Sequence, residues 1–176
     1  FTVVLFVVLI IIVCVLFFFY DVTEATTSCF LASRRQRQMW IRTAYGGNDK
    51  VYAGKGSDKV YLGDGNDYVK AGGGKEEFYG GNGNDYLSYY DSTGGVTVNL
   101  STNDVSGSWA NNDVISGFEN VSGSKTGHDT IYGTSGANKI KTYGGNDKIY
   151  SSRGNDKVYA GKGEELSNMR KEKEGW

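Results

Sequence analysis

Two hydrophobic patterns divide this chain. Residues 1–20, FTVVLFVVLIIIVCVLFFFY, form one uncharged apolar run; from residue 44 onward a single apolar residue recurs between polar ones every nine positions. The first run has the length of a bilayer-spanning helix, about 20 residues, and predicts a transmembrane helix or uncleaved signal anchor. A cleaved signal peptide starts with positive charge and has a core of about 7–15 apolar residues. Here no charge precedes the run, and only a weak small-residue cleavage site follows it, at Ala25. The second pattern suits neither an amphipathic helix nor a long strand. Lys-Val-Tyr, Tyr-Val-Lys and Lys-Ile-Tyr each alternate polar, apolar, polar, which predicts very short strands with one buried face.

In register, the first block reads AYGGNDKVY, AGKGSDKVY, LGDGNDYVK, AGGGKEEFY, GGNGNDYLS, from Ala44 to Ser88. The second reads SKTGHDTIY, GTSGANKIK, TYGGNDKIY, SSRGNDKVY and a decaying AGKGEEL, from Ser124 to Leu166. Position four is Gly in all ten windows: Gly47, Gly56, Gly65, Gly74, Gly83, Gly127, Gly136, Gly145, Gly154 and Gly163. Position eight is apolar in all nine complete windows: Val51, Val60, Val69, Phe78, Leu87, Ile131, Ile140, Ile149 and Val158. Gly ahead of an acid suits a tight turn with positive φ. Three residues of strand are too short to stand alone, so the strands must pair coil on coil, with position eight forming one continuous core. The fold class is therefore all-β and solenoidal. Two units per coil place alternate windows above one another, about 4.8 Å apart.

That stacking brings acids together. Asp49 lies over Asp67 and Asp67 over Asp85 on one side, with Asp58 over Glu76 on the other; Asp129 and Asp147 form a pair in the second block. Such columns repel unless neutralised. A hard divalent cation held by carboxylates and turn carbonyls removes the repulsion and clamps adjacent coils. The candidate metal ligands are Asp49, Asp58, Asp67, Glu76, Asp85, Asp129, Asp147 and Asp156, with the turns of Gly47, Gly56, Gly65, Gly83, Gly145 and Gly154 baring carbonyls. Glu76 and Glu165 bring a longer arm than Asp, and Asn138 a neutral one. Position two is Gly in only five of ten windows, with Tyr45, Lys125, Thr134, Tyr143 and Ser152 elsewhere.

These windows resemble the GGxGxDxUx nonapeptide of the RTX (repeats-in-toxin), or haemolysin-type, calcium-binding proteins. The resemblance covers about two thirds of the chain. It implies a parallel β-roll in two blocks, with Ca²⁺ as cofactor between successive turns of the same side. The insert, LSYYDSTGGVTVNLSTNDVSG…NDVISGFENVSGS, also looks like the linker between roll blocks in such proteins. Val96, Val98 and Leu100 would form an alternating strand there, and Ile115, Phe118 and Val121 would cover the roll.

The expected organisation is an apolar segment at 1–20, a basic linker at 21–43, a first block at 44–88, an inter-block strand and linker at 89–123, a second block at 124–166 and a charged tail at 167–176. Arg34, Arg35, Arg37 and Arg42 lie near the apolar run and by themselves favour the cytoplasmic side of a span. A calcium-dependent module of ordinary affinity instead works where Ca²⁺ is near millimolar, which places the repeats outside the cell or on its surface. Net charge is −1 with pI near 5.9, so no basic field points to nucleic acid. Cys14 and Cys29 show no metal or redox spacing, and His128 sits in a glycine-rich turn as an exposed residue. No HExxH or GxSxG motif is present, so the chain is not expected to be an enzyme. The leading expectation is a calcium-binding structural or binding module of a secreted or cell-surface protein, anchored in the membrane through residues 1–20. The alternatives are the repeat portion of a larger RTX exoenzyme or toxin, or a calcium-dependent adhesin whose Tyr and Lys rows grip a glycan or cell surface.

Overall fold

In each repeat the acid at position six, the apolar residue at position eight and position one of the next repeat stand two residues apart. Extended backbone therefore turns all three to the same side. The computed structural model describes residues 38–42, 46–163 and 166–169, and in it that side is the interior. Val51, Val60, Val69, Phe78, Leu87, Ile131, Ile140 and Ile149 are at most 1 % exposed. Position one is also inside, filled by Ala53, Leu62, Ala71, Ser124, Thr142 and Ser151. Most of these are small.

The strands form a parallel β-solenoid. One wall is a continuous six-stranded sheet of Lys50–Tyr52, Tyr68–Lys70, Tyr86–Ser88, Asn120–Ser122, Lys139–Lys141 and Lys157–Tyr159. Its apolar residues fall in one column, Val51, Val69, Leu87, Val121, Ile140 and Val158. The other wall is divided. Its first part pairs Gln38–Arg42, Lys55–Asp64, Glu77–Asn82 and Val114–Ser116, with Gly73–Gly74 beside Lys55 and Gly56. Its second part pairs Val96–Asn99, Thr130–Tyr132, Lys148–Ser152 and Leu166–Met169.

The insert makes both the division and the continuity. Val96, Val98 and Leu100 are buried, and Val96–Asn99 pairs antiparallel with Asp104–Gly107 before a short 3₁₀ turn at Ser108–Ala110. Ile115 and Val121 occupy position-eight places within the walls, opposite Phe78 and Leu87, and Phe118 is buried at the corner between them. The insert thus adds a coil of its own to the roll it was expected to cover. Position-nine tyrosines face outward and stack on each other: Tyr61 on Tyr79 and Tyr132 on Tyr150, each with centroids 4.7 Å apart. Such cross-strand aromatic pairs stabilise a sheet face.

The apolar segment expected to cross a membrane lies outside the described residues. Among the described residues no helix is long and apolar enough to do so. Gln38–Arg42, at the end of the stretch read as a basic linker, is a strand along Lys55–Asp64, and Leu166–Met169 reaches into the charged tail along Lys148–Ser152. Both add pairing to edges whose N–H and C=O groups need partners.

Position two turns left-handed at two of the windows where Gly is missing: φ is 63° at Tyr143 and 73° at Ser152, whereas Lys125 and Thr134 keep negative φ. A side chain there costs about 1–2 kcal/mol, against about 0.5–1 kcal/mol for the extra freedom Gly loses on folding. Ser152→Gly is therefore expected to raise the unfolding free energy by roughly 0.5–1 kcal/mol. Ile140→Ala, in the middle of the core column, should lower it by about 2–5 kcal/mol. Denaturant melts at one fixed Ca²⁺ concentration measure both.

Candidate metal centre

Because position six lies on the inward side, the turn acids are drawn out of water. Asp49, Asp58, Asp67, Glu76, Asp85, Asp129 and Asp147 are all at most 6 % exposed. One oxygen of each stacked aspartate latches the preceding coil. Asp67 Oδ1 accepts the Asp49 N–H at 2.7 Å and Asp85 Oδ1 the Asp67 N–H at 2.8 Å. In the second block Asp147 Oδ1 accepts the Asp129 N–H at 2.9 Å, and Asp156 Oδ1 the Asn138 N–H at 2.9 Å. Each bond spans eighteen residues, two nonapeptides. Position five latches the other way: Asn48 Oδ1 accepts from Asn66 N–H and Asn66 Oδ1 from Asn84 N–H. His128 joins this ladder, its Nδ1 accepting the Asn146 N–H at 2.7 Å.

The second carboxylate oxygen has no such bond. Oδ2 of Asp67, Asp85, Asp129 and Asp147, and Oε2 of Glu76, are buried without a hydrogen-bond partner among the described residues. A charge left this way is costly, and the carboxyls respond. Burial, reinforced by the charges of Asp67 and Glu119, pushes Asp85 up to about 6. Burial and Asp147 push Asp129 up to about 6. Burial first, then Asp113 and Asp58, pushes Glu76 up to about 8. Asp49 and Asp67 are raised in the same sense by burial.

Glycine also lets the turns that precede these acids stack closely. Gly65 has φ +139°, and a Cβ there would overlap the Gly47 carbonyl oxygen; Gly83 stands over Gly65 in the same way. The turns of Gly47, Gly65 and Gly83 therefore stack without side chains beside Asp49, Asp67 and Asp85. Gly74 over Gly56, Gly145 over Gly127 and Gly154 over Gly136 repeat the contact.

The expected pairs come together unequally. Asp49, Asp67 and Asp85 form an uninterrupted column, and Asp129 and Asp147 a second pair. Asp58 and Glu76 lie on paired coils, but Glu76 Oε1 turns to the Gly72 N–H of its own turn, at 2.9 Å. Asp156 is half-buried, and its neighbour Asn138 is closed by its own amide. Asn138 Oδ1 accepts the Thr134 N–H at 2.8 Å, while Nδ2 donates to the Glu119 carbonyl at 2.7 Å and to Thr134 Oγ1 at 2.8 Å. The amide donor does there what a cation would do elsewhere.

Two acids missing from the sequence-based set stand in the columns. Asp113 Oδ1 accepts the Glu76 N–H at 2.9 Å, and its Oδ2 accepts the Tyr89 hydroxyl at 3.0 Å. Glu119 Oε2 accepts the Asp85 N–H at 2.8 Å. Their signals were short: Asn112-Asp113-Val114-Ile115 matches the Asn-Asp-x-apolar of the repeats, and Gly117-Phe118-Glu119-Asn120-Val121 matches Gly74–Phe78. Both lack the rest of the nonapeptide.

The donors are all oxygen, carboxylate and carbonyl, and the buried acceptors lack protons to accept. That set fits a hard divalent cation with six to eight oxygen ligands, about what Ca²⁺ takes. Among the described residues no three acid, His or Cys side chains converge, so an ion held here would need carbonyls among its ligands. Paired carboxylates and glycine turns stacked coil on coil put the chain in the class of parallel β-solenoids. The chain carries the repeats of the RTX family: the RTX calcium-binding nonapeptide repeat (4 copies) matches residues 43–75, 60–87 and 125–163. No curated protein matches the chain.

The raised carboxyls set a pH dependence. The folded, metal-free roll holds these protons more tightly than the unfolded chain, whose carboxyls titrate near about 4. Stability without metal is therefore highest below that value. It is lost as pH rises through about 6 for Asp85 and Asp129, and through about 8 for Glu76. Ca²⁺ needs the ionised form, so its binding should weaken on acidification and release protons. In chelator, far-UV circular dichroism at pH 5 should show more β-structure than at pH 7.5.

Proposed function

We propose that the chain is a calcium-dependent structural module, non-catalytic, whose roll orders when Ca²⁺ binds between stacked turns. The observation that carries this reading is the column of buried carboxylate oxygens left without hydrogen bonds beside side-chain-free glycine turns. Asp49, Asp67 and Asp85 would hold ions with the carbonyls around Gly47, Gly65 and Gly83. Asp58 and Glu76, with the Gly56 turn, would form a rung on the other side. Asp129 and Asp147, with Gly145, would serve the second block, whereas at Asp156 and Gly154 the Asn138 amide takes the ion's place. Bound Ca²⁺ supplies positive charge between carboxylates that otherwise repel. The residues do the rest: Oδ1 latches the coil, and Oδ2 would be the oxygen left to hold the ion.

The reading extends to place. Extracellular calcium modules bind at about 10⁻⁴–10⁻³ M, a range that leaves the roll loose inside a cell and ordered outside. We therefore assign it to a secreted or cell-surface protein, with residues 1–20 as a membrane anchor.

A Ca²⁺ titration of the chain at pH 7.5, read by far-UV circular dichroism, should show a cooperative coil-to-β transition near millimolar Ca²⁺. Mg²⁺, which holds its water and demands tighter octahedral geometry, should not produce it. Asp67→Asn removes a carboxylate shared by two rungs and should move the midpoint to several-fold higher Ca²⁺. A full β-spectrum in chelator at this pH would sink the mechanism and leave only the fold.

A further inference from the structure

The family repeats stop at residue 87 and resume at 125, yet an acid column runs on between them. Tyr79 pairs with Ser116 and Tyr86 with Asn120. The six-residue corner 80–85 is therefore stacked against a corner of only three residues, 117–119. An aspartate on so short a corner starts farther from the coil it must reach. The chain has glutamate, and Glu119 Oε2 accepts the Asp85 N–H at 2.8 Å, the bond made by aspartates within the repeats.

The short corner also supplies a carbonyl. A Cβ added to Gly80 would overlap the Gly117 carbonyl oxygen and stand 2.6 Å from Asp85 Oδ2. The two oxygens therefore converge on the space that Gly80 leaves open. Asp85 is 0 % exposed and its Oδ2 has no hydrogen-bond partner among the described residues. Beyond Glu119 the column closes, because the Asn138 amide already donates to the Glu119 carbonyl and to Thr134.

We propose that Asp85, the Gly117 carbonyl and Glu119 form a Ca²⁺ site outside the nonapeptide repeats, joining the last repeat of the first block to the insert. The inference rests on the calcium reading of the roll given above. It makes the insert part of the metal-bound framework, with the calcium column of the continuous wall ending at the amide rung of Asn138.

Native mass spectrometry and calorimetry of the chain at saturating Ca²⁺, for the wild type, Glu119→Gln and Asp67→Asn, test it. Glu119→Gln keeps an acceptor for the Asp85 N–H and should retain the β-roll spectrum. It should bind one Ca²⁺ fewer, or bind that ion at least about tenfold more weakly. An unchanged count and affinity in Glu119→Gln, while Asp67→Asn loses calcium, overturns this site and leaves the roll's calcium binding intact. No Ca²⁺ on the wild type overturns both. Should Glu119→Gln fail to fold, the side-chain carboxyl ¹³C resonance of Glu119 in the wild type decides. A shift on Ca²⁺ titration and none on Mg²⁺ supports the site, and no shift with Ca²⁺ removes it.

Discussion

A carboxylate buried at most of its turns is the constraint on which the rest of this structure depends. Alternation along an extended chain carries position six to the same side as the apolar core, so the acid cannot be moved to solvent without turning the hydrophobic residue out as well. Each turn then has to satisfy an inward-facing anion. One oxygen is satisfied by the N–H of the coil before it. The other is satisfied by no group of the described protein at Asp67, Asp85, Asp129 and Asp147. On the proposed reading, folding and ion binding are thus two sides of one requirement.

The thin core follows from the same geometry. With acids at position six and small residues at position one, only position eight contributes substantial apolar volume in most coils. The side chains there, Val158 excepted, are fully buried and aligned in columns, but most strands in the repeats are short. Local pairing of three residues has little stability alone, and stacking makes each coil depend on its neighbours. The proposed clamp at the corners would therefore act where the fold is weakest.

The chain departs from its own rule in instructive ways. Asn138 replaces anion and ion with an amide that donates to Glu119 and Thr134. Tyr143 and Ser152 hold a left-handed backbone without glycine. The insert shortens one corner and lengthens the acid that bridges it. In each case the stacking of coils is kept and the local chemistry adapts to it.

The short strands, the turn glycines and most of the acidic set were legible in the amino-acid order, because each depends on local features: side-chain alternation, the left-handed freedom of Gly at Gly65, and the nine-residue repeat. The depth of the acids was not legible, since burial of Asp67 or Asp85 requires the opposite wall. Asp113 and Glu119 were hidden for a related reason. Their partners Glu76 and Asp85 lie thirty-seven and thirty-four residues away, an offset set by how many residues the intervening hairpin and corner consume. Asn138 could be read as a neutral substitute, but not as a donor to Glu119, nineteen residues earlier. Sequence determined what each turn offers; tertiary structure decided which turns meet, because coil stacking is set by the path of the chain between them.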